Sequence, residues 1–324
     1  MKIAFLVSNR PDFVERITNY TGSEPLLMLE TGPDGLYREE DLARAADVEA
    51  LMVANEPVTE QILAACPRVK IVQRFGVGYE KLDLEAAAKR GIPCCNLAGV
   101  NKIPVAEHGF MLILALVRNV FPAHEKTHGL DWGGARLVMN NNFELAGKTL
   151  GVIGLGNTGF ELARRARGFD MQIVYNDIRE IEAERIEAVG ARFMEKEELM
   201  AAADIVSINV NFNPTAANMI DAKMLARMKK DAFLVCCARG GVIDEAALRD
   251  ALNEERIRGA GIDVFSEEPF PADNPLLKAK NLIMTPHMAG ASIESSRRNY
   301  EWAFENVSRV LEKGEKPNFV LNGV

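Results

Sequence analysis

Short apolar runs alternate with stretches of helical spacing along almost the whole chain. In the first third, residues 3–7, 51–54 and 69–74 read as strands, 93–96 is strand-like, and 59–66 and 84–90 read as helices. Further on, strands are predicted at 150–153, 172–175, 191–193, 205–210, 232–236, 258–262 and 282–284, with helices at 196–202, 222–228 and 245–252. Asp244 is placed to cap the last of these helices, and Ser292 to cap a long amphipathic helix running to 313. Residues 101–121 form a nearly all-apolar helix interrupted only by Glu107, His108 and Arg118. A helix that apolar must be buried on most sides, so it reads as a bridge between domains and part of a subunit interface. Asp131-Trp132-Gly133-Gly134 reads as a loop, with Trp132 available to anchor a partner or line a site. Apolar strands alternating with helices imply parallel sheets covered on both faces.

One stretch carries a chemical signature. Residues 148–177 run strand, glycine turn, helix, strand, acid, with Gly154, Gly156 and Gly159 in the turn and Asp177 at the end. Gly154 permits a tight turn, Gly156 lets backbone approach a pyrophosphate, and Gly159 lets helix and strand pack closely. The pyrophosphate would rest on the N–H groups at the helix N-terminus. About twenty residues on, a carboxylate binds both ribose hydroxyls of NAD and repels a 2′-phosphate. Arg179 is a mild counter-signal towards NADP, although such an arginine is more often a solvated charge. NAD is therefore the expected cofactor.

Three later strand ends carry polar residues: Cys237-Ala238-Arg239-Gly240-Gly241, the segment from Asp263 to Glu268-Pro269, and Thr285-Pro286-His287-Met288-Ala289-Gly290. Beside a hydride carrier the protein must supply a proton and orient the substrate. Histidine is the natural proton carrier near neutral pH, a neighbouring carboxylate stabilises its imidazolium form, and arginine offers a fork matching a substrate carboxylate. Singly each has a bland reading as a loop histidine, a surface ion pair or a solvated acid. In the first third, Gly76-Val77-Gly78 follows a strand where open α/β sheets place ligands.

Composition narrows the classes. At 324 residues the chain is long enough for two domains, and its formal charge of −8 argues against nucleic-acid binding. The longest apolar run falls far short of the ~20 residues of a membrane span, and the opening MKIAFLV reads as a strand rather than a signal peptide. Five cysteines without C-x-x-C spacing suit buried, reduced thiols in a cytoplasmic protein. His124 and His128 have the spacing of metal ligands on a helix but no third ligand nearby, so no metal is expected.

The motifs resemble those of the D-isomer-specific 2-hydroxyacid dehydrogenases along nearly the whole chain. They are RFGVGYEKLDLEAAAKRGIP (74–93), VAEHGFMLILAL (105–116), the glycine fingerprint, ARGGVIDEAAL (238–248), GIDVFSEEP (261–269) and TPHMAGAS (285–292). The resemblance implies two doubly wound α/β domains, a Rossmann cofactor domain (98–287) inserted in a flavodoxin-like substrate domain (1–97 plus 288–324). It implies that Arg239 binds the substrate carboxylate and carbonyl, that Glu268 partners His287 as general acid/base, and that Gly76, Val77 and Gly78 contact substrate. Gly154, Gly156, Asn157, Thr158, Gly159, Asp177, Val210, Cys237, Ala238, Arg239, Asp263, His287 and Gly290 would hold the cofactor. The implied partners are a small 2-oxo or 2-hydroxy acid and a second copy of the chain, docked through the helix at 101–121. One departure lies at 210–216, where Asn211 and Asn213 replace the family's proline and threonine. With the chain ending at Val324, the serine-sensing module of some relatives is not expected. An NAD(H)-sensing corepressor and phosphite dehydrogenases share this scaffold and stand as alternatives. Arg10, Arg74 and Trp132 are candidates to shape a pocket; Arg74 would suit a phosphorylated or acidic substrate if it is not a surface ion pair.

Overall fold

The computed structural model describes residues 2–8, 11–22 and 27–324, and Arg10 lies outside them. Two compact units are present, Met1–Asn101 with Ser292–Val324, and Lys102–Ala291. Each crossing falls four residues later than the resemblance implies (101 against 97, 291 against 287). Leu97 and Val100 belong to the first unit's core, whereas Met288 and Ala289 are tied by their N–H groups to Asp263 in the second.

The first unit contains β1 (Ile3–Leu6), α1 (Pro11–Thr21), β2 (Met28–Leu29), α2 (Glu39–Arg44), β3 (Ala50–Val53), α3 (Glu60–Ala65), β4 (Ile71–Arg74), α4 (Leu84–Lys89) and β5 (Cys94–Cys95). Its strands are all parallel in the order β2-β1-β3-β4-β5, the flavodoxin-like arrangement. In the second unit, α5 (Lys102–Val117), α6 (Val120–His128) and α7 (Trp132–Val138) come first. There follow β6 (Thr149–Ile153), α8 (Asn157–Arg167), β7 (Gln172–Asn176), α9 (Ala183–Val189), β8 (Ala191–Phe193), α10 (Lys196–Ala202) and β9 (Ile205–Ile208). The unit ends with α11 (Ala222–Leu225), β10 (Phe233–Cys236), α12 (Glu245–Asn253), β11 (Gly259–Ile262) and β12 (Leu282–Met284). These strands are parallel in the order β12-β11-β10-β9-β6-β7-β8, a Rossmann sheet whose chain order reverses between β6 and β9. Finally α13 (Ile293–Leu311) returns to the first unit.

Both sheets are buried on two faces, which is why their strands read as continuous apolar runs rather than alternating ones. β3, β9, β10 and β11 are buried at every position. In the second unit α5 and α8 cover one face and α10 to α12 the other. In the first, α13 packs Ala303, Val307 and Phe304 against Phe5, Met52 and Ile71. A buried polar link adds direction to that packing: Asn306 Nδ2 donates to Gln73 Oε1 at 2.7 Å, and Asn306 Oδ1 accepts from Asn318 N at 2.7 Å. Ser292 caps α13 with a reciprocal Ser295 bond, and Asp244 caps α12 through Ala247 N.

Three local readings are corrected. The single helix at 101–121 is two helices bent by 63°, and α5 lies wholly within the second unit. Asn119 adopts the left-handed region (φ 48°), which stops α5, and α6 restarts so that Pro122 falls in a first turn where no N–H is needed. The Asp131–Gly134 segment is the start of α7, capped by Asp131 accepting from Gly134 N at 2.8 Å. The short elements α2, β2 and α9 escape the pattern, and so does α1, an 11-residue amphipathic helix that buries Phe13 and Ile17. Among the described residues no single helix is long and apolar enough to cross a membrane; α5 and α6 together meet the length and composition, but α5 is largely a core helix.

Candidate active site

The glycine turn is built by contact. At Gly154 (φ +90°) a Cβ would stand 2.8 Å from Asn209 O, and Val210 Cγ1 flanks it at 3.0 Å, so β9 closes against the turn at the sheet's switch point. A Cβ on Gly159 would sit 2.0 Å from Gly154 O, which is why α8 can lie against the turn only with glycine there. Gly156 differs: a Cβ would approach only Arg179 Nη2, at 3.3 Å. That open face, on the N-cap of α8 beside the exposed Asn157 and half-exposed Thr158, is where a pyrophosphate fits.

Asp177 follows β7 and its side chain is only 5% exposed. Oδ2 accepts from Leu155 N at 2.9 Å and Oδ1 from Arg179 N at 3.0 Å, so the carboxylate is locked to the turn itself. Arg179 Nε lies 3.5 Å from Oδ1. On the loop after β9, Asn213 Oδ1 accepts from Thr215 N, Thr215 Oγ1 and Ala216 N, capping its own turn.

Beyond β10, β11 and β12 the other candidates gather. Arg239 donates from Nη1 to Ala238 O at 2.8 Å, and Gly240 packs so tightly that a Cβ would meet Phe265 O at 1.7 Å. Burial pushes the Cys236 thiol up to about 11 and the Cys237 thiol well above its ordinary value, so both stay protonated near neutrality. Glu268 Oε1 accepts from Phe265 N at 3.0 Å while Oε2 lies 2.6 Å from His287 Nδ1. The histidine side chain is 48% exposed, which leaves Nε2 as the ring nitrogen able to face a ligand.

Asp263 is fully buried. Its carboxylate accepts from Thr285 Oγ1 (2.6 Å), Met288 N (3.0 Å) and Ala289 N (2.8 Å), and its carbonyl accepts from His287 N (2.7 Å). The loop is thereby held with His287 at φ 52°, a left-handed conformation that costs energy unless the surroundings enforce it. Two members of this clamp escape the sequence reading: Thr285, and His108 on α5, whose Nε2 lies 2.9 Å from Thr285 Oγ1. Because the threonine hydroxyl donates to Asp263, it accepts from His108. A polar residue amid an apolar helix was the available signal. Replacing Asp263 by alanine would orphan the buried Ala289 N, at about 1–3 kcal/mol, and leave the part-buried Thr285 hydroxyl and Met288 N without this acceptor at a smaller cost. A lowered urea midpoint is the expected result, and an unchanged midpoint would show that the clamp is slack.

Gly76, Val77 and Gly78 lie in the first unit, with Gly76 at φ +96° and no atom near a notional Cβ. Their carbonyls accept from Leu97 N, Asn96 Nδ2 and Arg74 Nε respectively. Arg74 also donates to the carbonyls of Val53 (3.0 Å) and Phe75 (2.7 Å), bracing the ends of β3 and β4. Among the described residues no group of three or more metal-ligating side chains occurs, and His124 and His128 stand on α6 with ring centroids 6.0 Å apart.

Comparison with known proteins gives the family. Residues 110–289 match the model of the D-isomer specific 2-hydroxyacid dehydrogenase, NAD binding domain. The chain is 37% identical over 284 residues to a glyoxylate reductase of Korarchaeum cryptofilum, covering 87% of this chain and 85% of that one. It is 38% identical over 290 residues to a D-3-phosphoglycerate dehydrogenase of Methanocaldococcus jannaschii, covering 89% of this chain but 54% of that longer enzyme. The structure of apo D-mandelate dehydrogenase from Rhodotorula graminis superposes with a TM-score of 0.87 at 26% identity, over 100% of this chain and 98% of that one. A nucleotide turn, a reversed parallel sheet and these matches define an NAD-dependent oxidoreductase. The chain belongs to the D-isomer specific 2-hydroxyacid dehydrogenase family, and its cofactor is NAD.

Proposed function

We propose that this chain reduces a 2-oxo acid to its D-2-hydroxy acid, with His287 as the general acid. The observation that carries the assignment is the Glu268–His287 pair at 2.6 Å, with Glu268 itself fixed by Phe265 N. The tautomer is set by that bond: Nδ1–H points at the carboxylate, and Nε2 carries the proton that moves. When bound, NADH supplies a hydride to the carbonyl carbon. His287 Nε2–H donates its proton to the carbonyl oxygen as negative charge develops there, and Glu268 stabilises imidazolium before the transfer. Arg239 fixes the substrate carboxylate and polarises the carbonyl. Asp263 acts at one remove, by holding the His287 loop.

Preference for NADH over NADPH rests on the Asp177 carboxylate, which a 2′-phosphate would have to approach. The enzyme is further proposed to be a homodimer through the α5–α7 region, where Phe121, Leu130, Trp132 and Leu137 are exposed. A molecular mass in solution of one chain would rule the dimer out.

The test is loss of NADH absorbance against a panel of 2-oxo acids, with NADPH in parallel and D- and L-hydroxy acids in reverse. Turnover with NADH preferred, and D-acids alone oxidised, is the expected outcome. Tight NADH binding with no turnover of any acid would overturn the proposal in favour of a nucleotide sensor.

A further inference from the structure

Arg179 reads in the sequence either as a solvated charge or as a partner for the 2′-phosphate of NADP, and its surroundings favour neither. It stands two residues after Asp177, whose Oδ1 accepts from Arg179 N at 3.0 Å and lies 3.5 Å from Arg179 Nε. That double hold turns the side chain back from the end of β7 towards α8. Its far end reaches Gly156, where Nη2 stands 3.3 Å from the position a Cβ would take. The guanidinium, its side chain 67% exposed, therefore lies over the glycine whose outer face is open. With Nε turned to the aspartate, both Nη groups are left as donors, the fork that matches two phosphate oxygens.

The neighbours of the turn show which phosphate that fork suits. A second cation, Arg185 of α9, is committed to the backbone: its Nη2 donates to Gly156 O at 3.0 Å and its guanidinium lies 4.8 Å from the centre of the Phe160 ring. Glu182 Oε2 faces Arg185 Nε at 4.0 Å, so that charge is balanced locally. Arg185 shapes the turn and leaves the anion to others. On the Asp177 side of Arg179 a 2′-phosphate would meet the carboxylate that already holds Nε. On the Gly156 side the first turn of α8 carries no acid, and the helix presents free N–H groups and the positive end of its dipole. An anion approaching from that side meets the Nη groups and the helix N-terminus together.

We propose that Arg179 clamps the cofactor's pyrophosphate, for NADH and NADPH alike, while Asp177 sets the choice between them. The proposal rests on the seating of the cofactor at the glycine turn described above. The experiment titrates NADH and NADPH by fluorescence, and ADP-ribose and adenosine by calorimetry, against the wild type, Arg179→Ala and Arg179→Lys at low and high salt. In Arg179→Ala, NADH and ADP-ribose are each expected to bind about tenfold more weakly at low salt, with adenosine unchanged. The preference for NADH over NADPH should hold, and the dependence of NADH affinity on salt should flatten. Arg179→Lys keeps the charge without the fork and should fall between. Unchanged NADH affinity in Arg179→Ala, an equal loss for adenosine, or a loss confined to NADPH would each overturn the clamp while leaving the cofactor seated. A wild type that binds neither NADH nor ADP-ribose removes the seat as well.

Discussion

His287→Ala is expected to lower kcat/KM about 10²–10⁴-fold, the usual worth of a positioned general acid. The geometry says which atom is lost. Glu268 Oε2 engages Nδ1 at 2.6 Å, so proton transfer to substrate runs through Nε2. Glu268→Gln leaves one oxygen for two donors, Phe265 N and Nδ1–H, so it loses one of those bonds together with the charge beside the ring, but it keeps the Nε2 proton donor; its loss should be smaller than that of His287→Ala. The order of the two variants is therefore part of the prediction. Steady-state rates with NADH decide it, and a His287→Ala enzyme turning over near the wild-type rate would sink the assignment.

The dyad also shows how far a sequence can be read. His287 and Glu268 lie 19 residues apart on loops after different strands, and no spacing rule joins them. Motif resemblance named both, and the parallel order of β11 beside β12 is what makes them meet. The sheets themselves were legible because doubly covered strands must be continuously apolar and helices between them must be amphipathic. Where one residue decided the backbone, the pattern was silent: the break between α5 and α6 turns on Asn119, and the apolar Val120 and Phe121 carry the run past it. Tertiary pairing hid the rest. The roles of Asp263, Thr285 and His108 depend on partners 22 to 177 residues distant. Arg74 has the composition of an anion site, yet its guanidinium holds backbone carbonyls, which only the folded loop could show.

The two glycines flanking the start of α8 should respond in opposite ways to the same added methyl group. In Gly159→Ala the Cβ would stand 2.0 Å from the backbone oxygen of Gly154 and 3.0 Å from Val152 Cγ1. A backbone carbonyl cannot swing aside as a side chain can, so helix and turn must separate. The cost should exceed the roughly 1–3 kcal/mol of ordinary overpacking. A falling urea midpoint with poor NADH binding is the expected result. In Gly156→Ala the nearest atom is Arg179 Nη2 at 3.3 Å, the far end of a flexible, exposed side chain. The fold should tolerate that methyl, and the urea midpoint should hold. What the methyl occupies is the face on which backbone must approach the pyrophosphate, so NADH affinity is expected to fall about tenfold or more, roughly 1.4 kcal/mol. Fluorescence titration of NADH beside urea unfolding separates the two. If Gly156→Ala bound NADH as tightly as the wild type, the pyrophosphate would have to lie elsewhere, and the placement of the cofactor on α8 would fall with it.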